Sequence, residues 1–116
     1  MWKEALSLTQ LQENTRQTMM IDGNKILFIW HDEEVHAVDA QCPHLKLPLI
    51  KGKINDECEI VCPFHKSTFD LKSGVVKCWS PWPRAIGALL GKLSGPKPLR
   101  VYPIRIDNDQ IFVNLA

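Results

Sequence analysis

A chain of 116 residues has room for one domain with a core of its own. With 45% hydrophobic and 23% charged residues it reads as folded rather than disordered, and a formal net charge of +1 lacks the basic bias that nucleic-acid binding needs. No run approaches the roughly 20 apolar residues of a membrane-crossing helix. Residues 1–14 show neither the apolar stretch nor the small-residue cleavage site of a secretory signal, so a cytoplasmic location is expected. In a reducing compartment the four cysteines suggest metal binding or plain thiols rather than a disulfide framework.

Strand signals dominate in chain order. Residues 15–21 and 25–31 flank Asp22-Gly23-Asn24, a strong hairpin signal. A turn at Asp32-Glu33-Glu34 leads to a third strand over 35–39. Residues 68–71 and 75–78 flank Lys72-Ser73-Gly74, which predicts another hairpin. Tyr102, Ile104 and Ile106 alternate with Val101, Pro103 and Arg105; the Asp107-Asn108-Asp109 turn and a strand over 110–114 then predict a closing hairpin. Only 79–98 breaks the pattern. It is rich in Pro, Gly and apolar residues, and Ile86, Leu89, Leu90 and Leu93 follow helical spacing, with Pro81 or Pro83 near the start. That predicts a short helix within a long connection. Many short strands with frequent turns predict an all-β sandwich or small barrel in one domain, residues 1–116.

Four residues carry the chemistry. Cys42-Pro43-His44 places a thiolate and an imidazole one residue apart, and Cys62-Pro63-Phe64-His65 places the same pair two residues apart. Both side chains of each pair can converge on one metal, and the prolines stiffen the loops by fixing φ. Thiolate sulfur with neutral imidazole nitrogen suits zinc and iron–sulfur centres alike. Each loop offers one ligand of each type, as in a Rieske centre, where two Cys bind one iron and two His the other. Zinc held tetrahedrally by the same four groups remains an alternative, and would make the chain an interaction module.

Here the sequence resembles the Rieske family. Cys42-Pro43-His44-Leu45 with Pro48-Leu49 resembles the first cluster loop, about 42–49. Cys62-Pro63-Phe64-His65, Ser67, Phe69-Asp70-Leu71 and Gly74 resemble the second loop, about 62–69, and its following hairpin. Residues 98–113 resemble the closing strands. The resemblance implies a Rieske-like antiparallel β-sandwich with a small cluster-binding subdomain, the 79–98 segment being a short helical insertion. It implies one [2Fe–2S] cluster on Cys42, His44, Cys62 and His65, with Ser67 donating a hydrogen bond to it. It also implies a stand-alone ferredoxin: a one-electron carrier, not itself an enzyme, serving a reductase, an oxygenase or another redox partner. A small subunit of a multi-component oxygenase or nitrite reductase is the alternative within the family.

The departures from the family pattern carry expectations. Leu47 and Phe64 stand where cytochrome-complex members have an extra pair of cysteines, so that disulfide is not expected. Phe69 lacks the hydroxyl that a Tyr would offer a cluster sulfur, which predicts a potential toward the low end of the Rieske range of about −150 to +300 mV. Lys46 and Lys66 replace frequent glycines; they favour reduction and suggest a basic rim for an acidic redox partner.

Other residues are expected to be structural. His31 and His36 flank a turn and need not converge on a metal. Cys58 and Cys78 read as thiols outside the motif, and Trp2, Trp30, Trp79 and Trp82 as core or packing residues.

Overall fold

The computed structural model describes residues 2–42, 48–63, 67–78 and 98–115, with backbone alone at 77 and 78. In chain order these form β1 (Trp2–Ser7), α1 (Leu8–Asn14), β2 (Arg16–Ile21), β3 (Asn24–His31), β4 (Glu34–Asp39), β5 (Lys53–Ile54), β6 (Glu59–Val61), β7 (Thr68–Asp70), β8 (Val76–Cys78), β9 (Ile104–Asp107) and β10 (Gln110–Asn114). The expected helix within 79–98 lies outside the described residues, as do Trp79 and Trp82. All pairings among the described strands are antiparallel. The chain divides into two compact units, Met1–Ala40 with Val101–Ala116, and Gln41–Arg100.

The first unit holds two three-stranded sheets, β2-β3-β4 and β1-β10-β9. Its hairpins turn on two residues each. Asp22 and Gly23 have φ of 49° and 81° between the paired Ile21 and Asn24. Asp32 and Glu33 (53° and 60°) and Asn108 and Asp109 (49° and 65°) repeat this left-handed geometry. Two left-handed residues in a row suit the right-handed twist of the flanking strands, and Asp, Asn or Gly, which tolerate positive φ, fill five of the six positions, Glu33 being the exception. Each turn is one residue tighter than the sequence suggests.

One core joins the two sheets. Leu6, Ile21, Ile26, Phe28, Ala37, Tyr102, Ile111 and Val113 cluster there with Leu11 of α1, and Trp30 packs against them. The apolar run of β3 is buried on both faces, with Ile26, Leu27, Phe28 and Ile29 all at 1% exposure or less. Trp2 departs from expectation: it is 39% exposed, and the Arg105 guanidinium lies 5.0 Å above its ring and 5.3 Å from that of Phe112. The closing strand begins later than its alternation suggests, at Ile104. Pro103 offers no N–H to a ladder, and Val101 makes only an isolated bridge with Val38.

Helix α1 has no counterpart in the sequence reading. Ser7 caps it, its hydroxyl accepting from the Gln10 amide at 3.0 Å. Thr15 ends it at φ 65°, its amide donating to the Leu11 carbonyl at 2.7 Å. The Leu8 amide and Thr9 hydroxyl donate to Asp109 in the β9–β10 turn, tying the helix to the opposite end of the chain. No helix among the described residues is long and apolar enough to cross a membrane.

Candidate metal centre

The second unit is a four-stranded sheet in the order β5-β6-β7-β8, and its register places the cysteine loops. Val61, last in β6, pairs with Thr68, first in β7. One step further, the Cys62 amide donates to the Ser67 carbonyl at 2.7 Å and pinches the second loop at its base. Alternation along this hairpin puts Ile60 and Cys62 on one face with Phe69 and Ser67. All four are fully buried, whereas Val61, Thr68 and Asp70 on the other face are half-buried.

The first loop is closed in the same manner. Gln41 and Pro48 form an antiparallel bridge, and Cys42, just inside it, is fully buried. The chain then turns tightly, the Gly52 amide donating to the Leu49 carbonyl at 2.8 Å, and enters β5. Lys53 pairs with Val61 and Ile54 with Ile60. The strand arriving from the first loop and the strand leaving for the second therefore meet at the same end of one ladder. Gly52 makes this approach possible: a β-carbon there would lie 2.7 Å from the Val61 carbonyl oxygen and 2.9 Å from the Ile60 side chain. Sequence reasoning passed over Gly52, because its requirement comes from a strand remote in sequence.

Two side chains brace the far turns. Asn55 Oδ1 accepts from the amides of Glu57 and Glu59 at 3.0 and 3.1 Å. Its Nδ2 donates to Glu59 Oε1 at 2.8 Å, giving a largely buried carboxylate a partner. Cys58 sits in this turn, half-buried and with φ of 61°. Asp70 Oδ1 accepts from the amides of Lys72 and Ser73 at 2.7 and 3.3 Å, shaping the turn before β8 that the sequence marks by Lys72-Ser73-Gly74. The Leu99 amide in turn donates to the Gly74 carbonyl at 2.8 Å.

Of the residues singled out from sequence, Cys42, Cys62 and Ser67 are thus fully buried in two loops pinched at their bases, and neither cysteine is in a disulfide. His44 and His65 lie outside the described residues, together with Pro43, Lys46, Leu47, Phe64 and Lys66. No group of three or more potential metal ligands occurs among the described residues. The donors nevertheless suit a cluster with thiolate ligands: an ionised thiol shielded from water is costly unless a metal takes up its charge. Away from these loops, His36 is buried on β4 with its Nε2 3.9 Å from Glu34 Oε2.

Comparison with known proteins points the same way. The family model described as Rieske [2Fe–2S] domain matches residues 1–103. A human Rieske domain-containing protein is 30% identical over 110 residues, which span 91% of this chain and 69% of that protein. The ferredoxin subunit of 3-phenylpropionate/cinnamic acid dioxygenase from Escherichia coli K12 is 24% identical over 100 residues, 85% of this chain and 81% of that one. Among solved structures, the ferredoxin of carbazole 1,9a-dioxygenase from Nocardioides aromaticivorans IC177 has the same fold, with a TM-score of 0.75 at 23% identity over 97% of this chain and 95% of that one. The terminal oxygenase of carbazole 1,9a-dioxygenase from Novosphingobium sp. KA1 matches over 97% of this chain but only 29% of its own, with a TM-score of 0.72 at 22% identity.

Proposed function

The chain belongs to the Rieske [2Fe–2S] domain family, and from that premise we propose that it carries single electrons between a reductase and an oxygenase or a similar redox enzyme. One [2Fe–2S] cluster would be held by Cys42 and Cys62 on one iron and by His44 and His65 on the other. The observation that carries this reading is the full burial of Cys42 and Cys62 at the bases of two pinched loops, each of which also supplies one of the histidines. Likeness to ferredoxin subunits of dioxygenases supports an oxygenase as the electron acceptor.

The bound cluster would supply reversible one-electron chemistry. The chain's own residues do the rest. Cys42 and Cys62, both fully buried, would supply the thiolates, and Ile60 and Phe69, buried on the same hairpin face as Cys62, would keep water from them. Ser67, buried beside the pinch with Cys62, would donate a hydrogen bond to a cluster sulfur and so favour the reduced state. By this reading the chain catalyses no reaction alone. Residues 1–116 would act as one domain, the Gln41–Arg100 unit being the cluster-binding part inserted between β4 and β9. A reducing compartment such as the cytoplasm suits Cys42, Cys58 and Cys62, which are free thiols among the described residues.

Visible absorption and EPR of protein purified without oxygen test this proposal. A reddish-brown protein whose dithionite-reduced signal averages near g of about 1.9 is expected of a histidine-ligated [2Fe–2S] centre. A colourless, EPR-silent protein holding one zinc would make the same four residues a structural clasp and end the electron-transfer reading.

A further inference from the structure

Two surface depressions lie where the cysteine loops meet the four-stranded sheet. One, of about 530 Å³, is lined by Pro48, Ile50, Lys51 and Pro63. A second, of about 390 Å³, is lined by Lys51, Lys53, Val61 and Pro63, so the two share Lys51 and Pro63. Pro48, Ile50, Lys51, Lys53 and Pro63 are all exposed. No carboxylate lines either depression among the described residues. The chain as a whole balances 14 basic against 13 acidic residues, so two lysines without an acid are a local concentration of charge.

From this we infer that Pro48, Ile50 and Pro63, rimmed by Lys51 and Lys53, form the docking face for an acidic redox-partner protein, an inference that rests on the electron-carrier reading. An apolar centre with a charged rim is the anatomy of a transient protein interface. Electron-transfer encounters need only a small contact, and opposite charge on the partner speeds them. The position fits the task. Pro63 directly follows Cys62, and Pro48 closes the loop that holds Cys42. A partner seated here lies one residue along the chain from a cluster ligand. A second copy of this chain is disfavoured as occupant, because a two-fold contact through this face would set its lysines against each other.

The test uses the cluster-loaded protein and an acidic haem protein, cytochrome b5, as probe, with basic cytochrome c for comparison. Binding is measured by titration calorimetry at low and high salt. We expect cytochrome b5 to bind at low salt more tightly than cytochrome c. The double variant K51E/K53E should weaken cytochrome b5 binding about tenfold or more, and the charge-matched K25E/K72E by less than about threefold. Ile50→Ala should weaken it about threefold without changing the salt dependence. Equal losses in the two charge-reversed variants, or tighter binding of cytochrome c, would overturn the inference. So would self-association of the unmixed protein that K51E/K53E abolishes, which would give the face to a second copy. Each variant's reduced EPR signal is recorded alongside. Loss of one-electron reduction in the parent protein would remove the electron-carrier reading itself, whereas failed docking with an intact signal would remove only this face.

Discussion

Gly52 lies so close to Val61 that a single added carbon would sit 2.7 Å from the Val61 carbonyl oxygen. This contact, together with the Lys53–Val61 pairing beside it, locks the end of the first cysteine loop to the start of the second. Backbone on one side and the fully buried Ile60 on the other leave little room to yield. Gly52→Ala is therefore expected to destabilise the protein by about 1–3 kcal/mol and to lower its metal content on purification. Denaturant unfolding and iron analysis check this. A variant with parental midpoint and iron content would mean the ladder opens without cost. Gly23→Ala is the informative control, since it has open space around it and would suffer only from its φ of 81°.

Asn55 holds two amides and the buried Glu59 carboxylate at once. Asn55→Ala removes all three bonds and takes away a hydrogen-bond partner of the carboxylate of Glu59, a residue that is only 8% exposed. A loss of about 1–3 kcal/mol is expected. The expected signature is faster hydrogen exchange at the amides of Glu57 and Glu59, with the first unit's amides unchanged.

The short helix α1 depends on its two ends. Ser7→Ala deletes the cap on the Gln10 amide and should cost about 1 kcal/mol. Thr15→Gly should stabilise by a few tenths to about 1 kcal/mol, because Thr15 already holds a left-handed φ of 65° that glycine adopts without strain. Thermal melts of the two variants should move in opposite directions. A drop in both would show that the Thr15 side chain contributes more than its backbone strain costs.

Removing the metal should affect the two units unequally. On the proposed ligation, Cys42→Ser, Cys62→Ser or chelation of the reduced protein abolishes the visible absorption. Buried groups that had a metal to satisfy them are then left with desolvated polar atoms. Hydrogen exchange should rise across Gln41–Arg100, while the sheets of β2, β3 and β4 and of β1, β10 and β9 keep their protection, since the described residues of their core all belong to the first unit. Uniform loss of protection would instead show one cooperative unit.

Phe69 is fully buried on the same hairpin face as Cys62 and Ser67. Phe69→Tyr introduces a hydroxyl on that face. A donor that reaches a cluster sulfur stabilises the added electron, so the reduction potential should rise by roughly tens of millivolts. A redox titration monitored by visible absorption measures it. An unchanged potential in a variant of parental stability would place the hydroxyl beyond the cluster's reach.

Much of this could be read from local chemistry in the sequence. Asp22-Gly23 and Asn108-Asp109 specify tight turns through their tolerance of left-handed backbone, and alternation at Ile111 and Val113 marks which face is buried. The two Cys/His pairs stand out because two donors on one loop that share a metal would be near neighbours in sequence. Helix α1 stayed hidden because seven residues are too few to show a period, and its left-handed terminus is Thr15 rather than glycine. The exposure of Trp2 was equally illegible, since only the pairing of β1 with β10 sets it beside Arg105 and Phe112. The need for glycine at position 52, the pinching of each loop at Gln41–Pro48 and Cys62–Ser67, and the gathering of Ile50, Lys51, Lys53 and Pro63 around shared depressions were decided by tertiary structure alone. The sequence by itself determined which groups could bind a metal, because that depends on side-chain chemistry and short spacing. Only the fold decided how the loops are held and what lies beside them, because those contacts join residues whose spacing along the chain carries no periodic signal.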